Sequence, residues 1–470
     1  MPEDRTTVTG SMNDSDALLW RIGRDPILRT TIVAVLVLDR APRFDEVRTR
    51  VATVAGSVAR LHSRLQPAPL GWGRPRWVAD DGFDIDLHLR RLVAPPPGTL
   101  RTVLDLAQAM GTVECDPALP LWEAVVVEGL EGGGAALVIK LHHAVSDGVG
   151  GLAVAQQLLD RRRRPRPYEV PAEGDGPAAA RGAPEPGSPA CVRTLPAAVA
   201  APARRVAGVV ARAVVDPVGQ LELARDSARS VGRLLAPAGA PLSPLLTPRS
   251  VRRRYEVLDL DRKVLQELTA ASHVTINDVF VSGVLLGMRR YHGAHGVALD
   301  RLRVLMPVNV RTALHPLGGN HFVPARFVLP VPADPERCLR KVHDVAGSWK
   351  AAPALGMSDV LAALLDLLPP PLVSRVWGSM LKGDDFVATN VPGPPFETYL
   401  AGARVEHFYA FAPPSGSALN VALVTPARRA CIGVSLDAAA VPDPSTFVGC
   451  LREGFAEVLA LGGGSTRASA

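Results

Sequence analysis

Apolar positions along this chain come in two patterns: short continuous runs, and longer stretches spaced three and four residues apart. TIVAVLVLD, Thr31 to Asp39, is a continuous run of the length a buried strand takes. FDEVRTRVATVAGSVARLHSRL, Phe44 to Leu65, has helical spacing and predicts one helix. LWEAVVVEGL and GAALVIKLHH predict two strands, and the EGGG between them is a hairpin signal. GVGGLAVAQQLLD then predicts a helix with Leu152, Ala155, Leu158 and Leu159 on one face.

The pattern breaks at Arg161. RRRRPRPYEVPAEGDGPAAARGAPEPGSPA has no periodicity and predicts an exposed, disordered linker. Its four consecutive arginines either sit in solvent or touch acidic lipid. ARRVAGVVARAVVDPVGQLELARDSARSVGRLL follows as basic amphipathic helices, packed on their own domain or lying on a membrane surface.

A second region of strands and helices begins near Val251. RRRYEVLDLD, LRVLMPVNVRT, NHFVPARFVLPV, DFVATNVPGPP, RVEHFYAFAP, ALNVALVT and ACIGVSLD predict strands. RKVLQELTAAS, TINDVFVSGVLLGMRRY and PDPSTFVGCLREGFAEVLAL predict helices, as does an apolar pair split by Pro369, Pro370 and Pro371. The expected organisation is an α/β (α+β) chain with a first lobe over 1–160, the linker and basic helices over 161–250, a second lobe over 251–461 and a tail over 462–470.

Length and charge narrow the function classes. At roughly 150 residues per domain, 470 residues make about three units or two larger ones. The net charge of +6 favours anionic partners. Aromatic residues do not interleave with the basic clusters and no nucleic-acid module is present, so a phosphate-bearing substrate or a lipid surface fits better than nucleic acid. The five cysteines are odd in number and scattered, with no C-x-x-C pair, which points away from a disulfide framework and from a zinc site, and to a reducing cytoplasm. The polar start predicts no secretory signal. No apolar run reaches about 18 residues, so membrane contact is expected to be peripheral.

The candidate chemistry sits in KLHHAVSDGVGG, Lys140 to Gly151. On a strand, Leu137, Ile139, Leu141 and His143 share one face, and Val138, Lys140 and His142 the other. Two adjacent histidines then point apart and cannot hold one ion, so no metal is expected here. His143, at the strand end, suits a general base that takes the proton of an alcohol attacking a carbonyl. The alternative is a buried histidine closing a strand. Asp147 either orients an imidazole or holds the loop through an arginine, and Gly148 permits a tight turn and close approach of substrate. No G-x-S-x-G elbow or phosphate-cradling Walker loop is present.

HHAVSDG matches the H-H-x-x-x-D-G motif of coenzyme A-dependent acyltransferases related to chloramphenicol acetyltransferase and peptide-synthetase condensation domains. With PLWEAVVVEGL, TINDVFVSGVL, MPVNVRT, GNHFVPARFVLPV, TNVPGPP and YLAGARVEHFYAFAP in order, the chain resembles the bacterial wax ester synthase/acyl-CoA:diacylglycerol acyltransferase family over nearly its whole length. The resemblance implies two chloramphenicol-acetyltransferase-like lobes with an active-site tunnel between them. Acyl-CoA would be the co-substrate, with no permanently bound cofactor, and diacylglycerol or a long-chain alcohol the acceptor. His143 would be the base, beside His142, and Asp147 would be structural. Two segments depart from the family pattern: Thr425-Pro426 follows LNVAL where Ser-Tyr is usual, and DSDALLW stands for a SPLDALF-like opening.

The neighbouring motifs carry two readings each. Thr275 and Asp278 make a capping-box pattern, so Asp278 either caps a helix or contacts substrate. Asn277 is a candidate donor to a developing oxyanion. Pro120, Leu121 and Trp122 either shape the acceptor entrance or start a strand with a packed indole. Arg311 is a candidate partner of Asp147 or an ordinary surface arginine. The expected activity is long-chain O-acyl transfer, at the inner membrane surface or on lipid inclusions. The alternatives are a polyketide or other specialised hydroxyl acceptor, and a non-catalytic lipid-droplet binding protein.

Overall fold

In the computed structural model, the apolar runs assemble into two six-stranded sheets and one three-stranded sheet. The structure describes residues 8–67, 74–146, 148–163, 239–309, 322–350, 378, 381–413 and 415–462. Asp147, Arg311, the linker and basic helices over 164–238, nearly all of the helix pair split by Pro369 to Pro371, and the tail from 463 fall outside them.

The strands in chain order are β1 (Val8–Ser11), β2 (Thr31–Leu38), β3 (Ser63–Gln66), β4 (Arg76–Ala79), β5 (Leu89–Val93), β6 (Trp122–Glu128), β7 (Ala135–His142), β8 (Arg253–Asp261), β9 (Arg301–Asn309), β10 (Phe322–Pro330), β11 (Phe386–Val391), β12 (Tyr399–Leu400), β13 (Ala403–Phe411), β14 (Leu419–Val424) and β15 (Arg429–Asp437). The helices are α1 (Asp14–Ile22), α2 (Phe44–Ser57), α3 (Ile85–His88), α4 (Leu100–Thr112), α5 (Gly148–Gln157), α6 (Arg262–Ser272), α7 (Ile276–Ala294), α8 (Pro335–Lys350) and α9 (Pro444–Ala460). The first large sheet runs β12-β13-β2-β7-β6-β5 and the second β10-β9-β11-β14-β15-β8.

The first sheet is covered on both faces, which is why its strands read as unbroken apolar runs. On β2, Val33 and Val35 pack against Val103, Leu104 and Ala107 of α4. Ile32 and Ala34 turn the other way, into a cavity shared with α2 and α5. Across the second sheet, α7 and α9 pack together. Gly283 of α7 lies so close to the Phe455 ring that an added Cβ would stand 2.2 Å from it, so the crossing requires glycine.

Two expectations are corrected. The helix from Phe44 stops at Ser57, because Val58 turns extended (φ −112°, ψ 103°) and Ser63–Gln66 pairs with β4 instead. Strand pairing overrides the helical spacing of the last eight residues. The chain also does not divide cleanly into two lobes near residue 250. RVEHFYAFAP pairs antiparallel with β2 and completes the first sheet. There β13 crosses β15 so closely that a Cβ on Gly433 would meet the Ala410 carbonyl at 2.1 Å. Tyr255 of β8 stacks on Phe411 of β13 at 4.2 Å, tying the two sheets at the same crossing.

Candidate active site

The hairpin of β6 and β7 delivers the two histidines to the end of the first sheet. Leu137, Ile139, Leu141 and His143 all line the cavity between the sheets, as the period of two requires. The backbone N–H of His143 donates to the Thr30 carbonyl at 2.8 Å, which extends the ladder with β2 past the last strand residue. The His143 side chain is half-buried.

His142 faces away and serves the fold. Its Nδ1 accepts the Ala144 backbone N–H at 3.0 Å, so the ring proton sits on Nε2 and is donated to Thr30 Oγ1, 3.0 Å away. Trp20 meets the ring edge-on at 5.3 Å. Burial, with smaller contributions from the neighbouring His143 and Lys140 charges, pushes the His142 pKa down to about 3. The unfolded chain takes up this proton near the ordinary value of 6.5, while the folded chain does not until about pH 3. Stability therefore falls as pH drops through that window. Between pH 7 and pH 5 this one group costs about 2 kcal/mol. Urea unfolding at both pH values should show the wild type losing about that much more than His142→Gln, and equal losses would contradict the assignment.

The turn after His143 is held from beneath by a residue the sequence reading did not select. Arg60 Nη1 donates to the Ala144 carbonyl at 2.9 Å and pairs with Asp16 Oδ2 at 2.7 Å. The Asp16 side chain is fully buried. Lys140, on the back face, is also buried, with Nζ 3.0 Å from Glu123 Oε1 and 3.2 Å from the Glu114 carbonyl.

The cavity in front of His143 encloses about 1760 Å³ of empty space, open mouth included. Its walls are almost wholly apolar. From the first sheet come Trp122, Ala124, Phe408 and Ala410, and from the second Leu305, Val387, Ala422 and Val424. Among the described residues that line it, His143 is the one titratable side chain. The other side-chain polar groups on the walls are the Trp122 indole, Thr389, Asn390, Ser415 and Asn420. Asn420 is buried and donates through Nδ2 to the Pro413 carbonyl at 3.1 Å.

The remaining expected residues are placed as follows. Trp122 opens β6 as a packed indole, its Nε1 donates to the Leu61 carbonyl at 2.7 Å, and it forms part of the cavity wall. Pro120 and Leu121 are buried beside it and are not among the lining residues. Gly148 opens α5. Asp278 has the capping role of its two readings. It closes the capping box with Thr275, whose N–H it accepts at 2.8 Å, and it lies 2.9 Å from His343 Nδ1. Asn277 sits half-buried on the same first helical turn, and neither residue lines the cavity. The pairing of Asp147 with Arg311 falls outside the described residues.

Residues 12–280 match the wax ester synthase/diacylglycerol acyltransferase catalytic domain, and residues 318–458 match the C-terminal domain of the same proteins. The chain belongs to the wax ester synthase/diacylglycerol acyltransferase family. A Mycobacterium tuberculosis protein named "Putative diacyglycerol O-acyltransferase" is 35% identical over 459 residues, 96% of this chain and 91% of its own. Another from that organism, named "Probable diacyglycerol O-acyltransferase", is 31% identical over 79% of this chain and 81% of its own. Among solved structures, the wax ester synthase/diacylglycerol acyltransferase of Marinobacter aquaeolei VT8 superposes with a TM-score of 0.61 at 20% identity, over 96% of this chain and all of that one. The first condensation domain of the calcium-dependent antibiotic synthetase gives 0.60 at 17% identity, over 97% of each chain. These two likenesses carry the fold, which is the mixed α/β, two-lobed arrangement that the sequence motifs imply.

Proposed function

We propose that this chain moves a long acyl group from coenzyme A to the hydroxyl of diacylglycerol or a long-chain alcohol. The observation that carries the reading is His143, which among the described lining residues is the one titratable side chain of a large apolar cavity. An apolar wall favours a hydrocarbon chain, at roughly 0.8 kcal/mol per buried methylene. A single imidazole beside it supports one kind of step. His143 takes the hydroxyl proton as the oxygen attacks the thioester carbonyl. The carbon–sulfur bond then breaks, the ester leaves the site, and the proton on His143 passes to the departing thiolate. Acyl-CoA is thus consumed as a co-substrate.

Family membership favours this activity over a specialised acceptor or a non-catalytic lipid-binding role. The net charge of +6 suits both the phosphates of coenzyme A and an acidic lipid surface, where the acceptor would be met. No single helix among the described residues is long and apolar enough to cross a membrane.

The test is product identity. Protein incubated with carbonyl-labelled palmitoyl-CoA and either diolein or hexadecanol should place the label in triacylglycerol or wax ester. Label recovered only as free palmitate would defeat transfer to an alcohol. The cavity wall gives a second expectation. Ala422 is buried and lines the cavity, alternating along β14 with core-facing Val421 and Leu423. Ala422→Phe should take the space of at least two methylenes of bound chain. At about 0.8 kcal/mol each, KM for palmitoyl-CoA should rise about tenfold. KM for octanoyl-CoA should stay unchanged, and equal shifts for both chains would remove Ala422 from the acyl path.

A further inference from the structure

On the far side of β13 from the cavity, three chemically different ligand groups converge. Phe408 and Ala410 of this strand line the cavity, so His407 and Tyr409 point the opposite way. They meet Asp259 of β8 and Cys431 of β15, which are direct cross-strand partners in the second sheet. One carboxylate oxygen of Asp259, the Cys431 sulfur and His407 Nδ1 all lie within 4.8 Å of one another. His407 Nδ1 is 3.2 Å from Asp259 Oδ2. The Tyr409 hydroxyl stands 2.8 Å from that oxygen and 3.0 Å from the imidazole nitrogen.

We infer that Asp259, His407 and Cys431 form a binding site for a divalent transition-metal ion of the Zn²⁺ type, joining the two sheets. The donor set decides the class of ion. One thiolate, one imidazole and one carboxylate suit Zn²⁺ or Co²⁺, whereas Ca²⁺ and Mg²⁺ ask for oxygen throughout. Bond lengths of about 2.0–2.3 Å place tetrahedral ligand atoms roughly 3.3–3.7 Å apart. Closing the trio on an ion therefore takes movements of about 1 Å. Access exists from one side: the Asp259 and His407 side chains are 19% and 22% exposed, while Cys431 is buried beneath them. The Tyr409 hydroxyl or a water would complete the fourth position.

Without an ion the same residues make a hydrogen-bonded latch, with Tyr409 donating to Asp259 and burial holding the Cys431 thiol protonated. Binding replaces the thiol proton with the metal and releases that proton to solvent. The ion would link β13, which belongs to the first sheet through β2, to β8 and β15 of the second. Its role is to brace the back of the cavity wall, separate from acyl transfer at His143. No spacing in the sequence announces the trio, because strand pairing brings together ligands from positions 259, 407 and 431.

The full-length protein, stripped with chelator and titrated with CoCl₂, tests the site. One equivalent should produce tetrahedral visible bands and a near-ultraviolet thiolate-to-cobalt charge-transfer band, both removed by ZnCl₂. Cys431→Ser should abolish the charge-transfer band. His407→Ala removes a partly exposed ring, and circular dichroism checks that it folds. It should weaken cobalt binding by about tenfold or more. Absence of the charge-transfer band in the wild type would overturn the inference. So would a band that persists in Cys431→Ser, or undiminished affinity in folded His407→Ala.

Discussion

The His143→Ala protein is expected to lose about 100- to 10,000-fold in kcat, the range that one positioned general base supplies. KM for acyl-CoA should move little, because the apolar walls that hold the chain are untouched. The neighbouring substitution His142→Ala should behave differently. His142 points to the opposite face and bonds Thr30 and the Ala144 N–H, so its loss acts on stability and on the shape of the turn. Steady-state kinetics on both variants separates the two roles. A His143→Ala enzyme with wild-type kcat would remove the proposed base.

Replacing Arg60 with alanine is expected to destabilise the fold by about 1.5–3 kcal/mol, the range for losing a hydrogen bond to a charged group. Asp16 is fully buried and would lose its guanidinium partner, while the Ala144 carbonyl would lose a charged donor. Because that carbonyl belongs to the turn just after His143, kcat should fall along with stability. Arg60→Lys keeps the charge but not the planar guanidinium whose Nη1 reaches both Asp16 and the turn, so it should fall between wild type and alanine. Urea denaturation measures the first effect. A loss below about 1 kcal/mol for Arg60→Ala would show that other contacts hold Asp16 and the turn.

Much of the site was legible because a strand has a period of two. The apolar run through Leu137, Ile139 and Leu141 fixed which way His143 faces, and the structure places all four on the cavity. The T-x-x-D pattern at Thr275 and Asp278 was equally legible as a cap. Its second reading, as a substrate contact, came from the family resemblance rather than from a local pattern, and Asp278 is not among the residues that line the cavity. Other features depend on pairing between distant segments. Arg60 lies 84 residues before the carbonyl it holds, and to the eye it is one more arginine on a helical stretch. The same stretch hid the end of α2, since ARLHSRL keeps an apolar spacing until its last residues pair with β4. β13 was recognisable as a strand, but its apolar face fits either sheet. Only its register with β2 places it in the first one.

The central claim is that a hydroxyl acceptor and His143 are both needed to release coenzyme A. The most direct measurement is the appearance of free CoA thiol from palmitoyl-CoA, with diolein, with hexadecanol and with neither, for wild type and His143→Ala side by side. The account predicts release that rises with acceptor in the wild type and is lost in the variant. Equal release by both proteins, or release that ignores the acceptor, would contradict it.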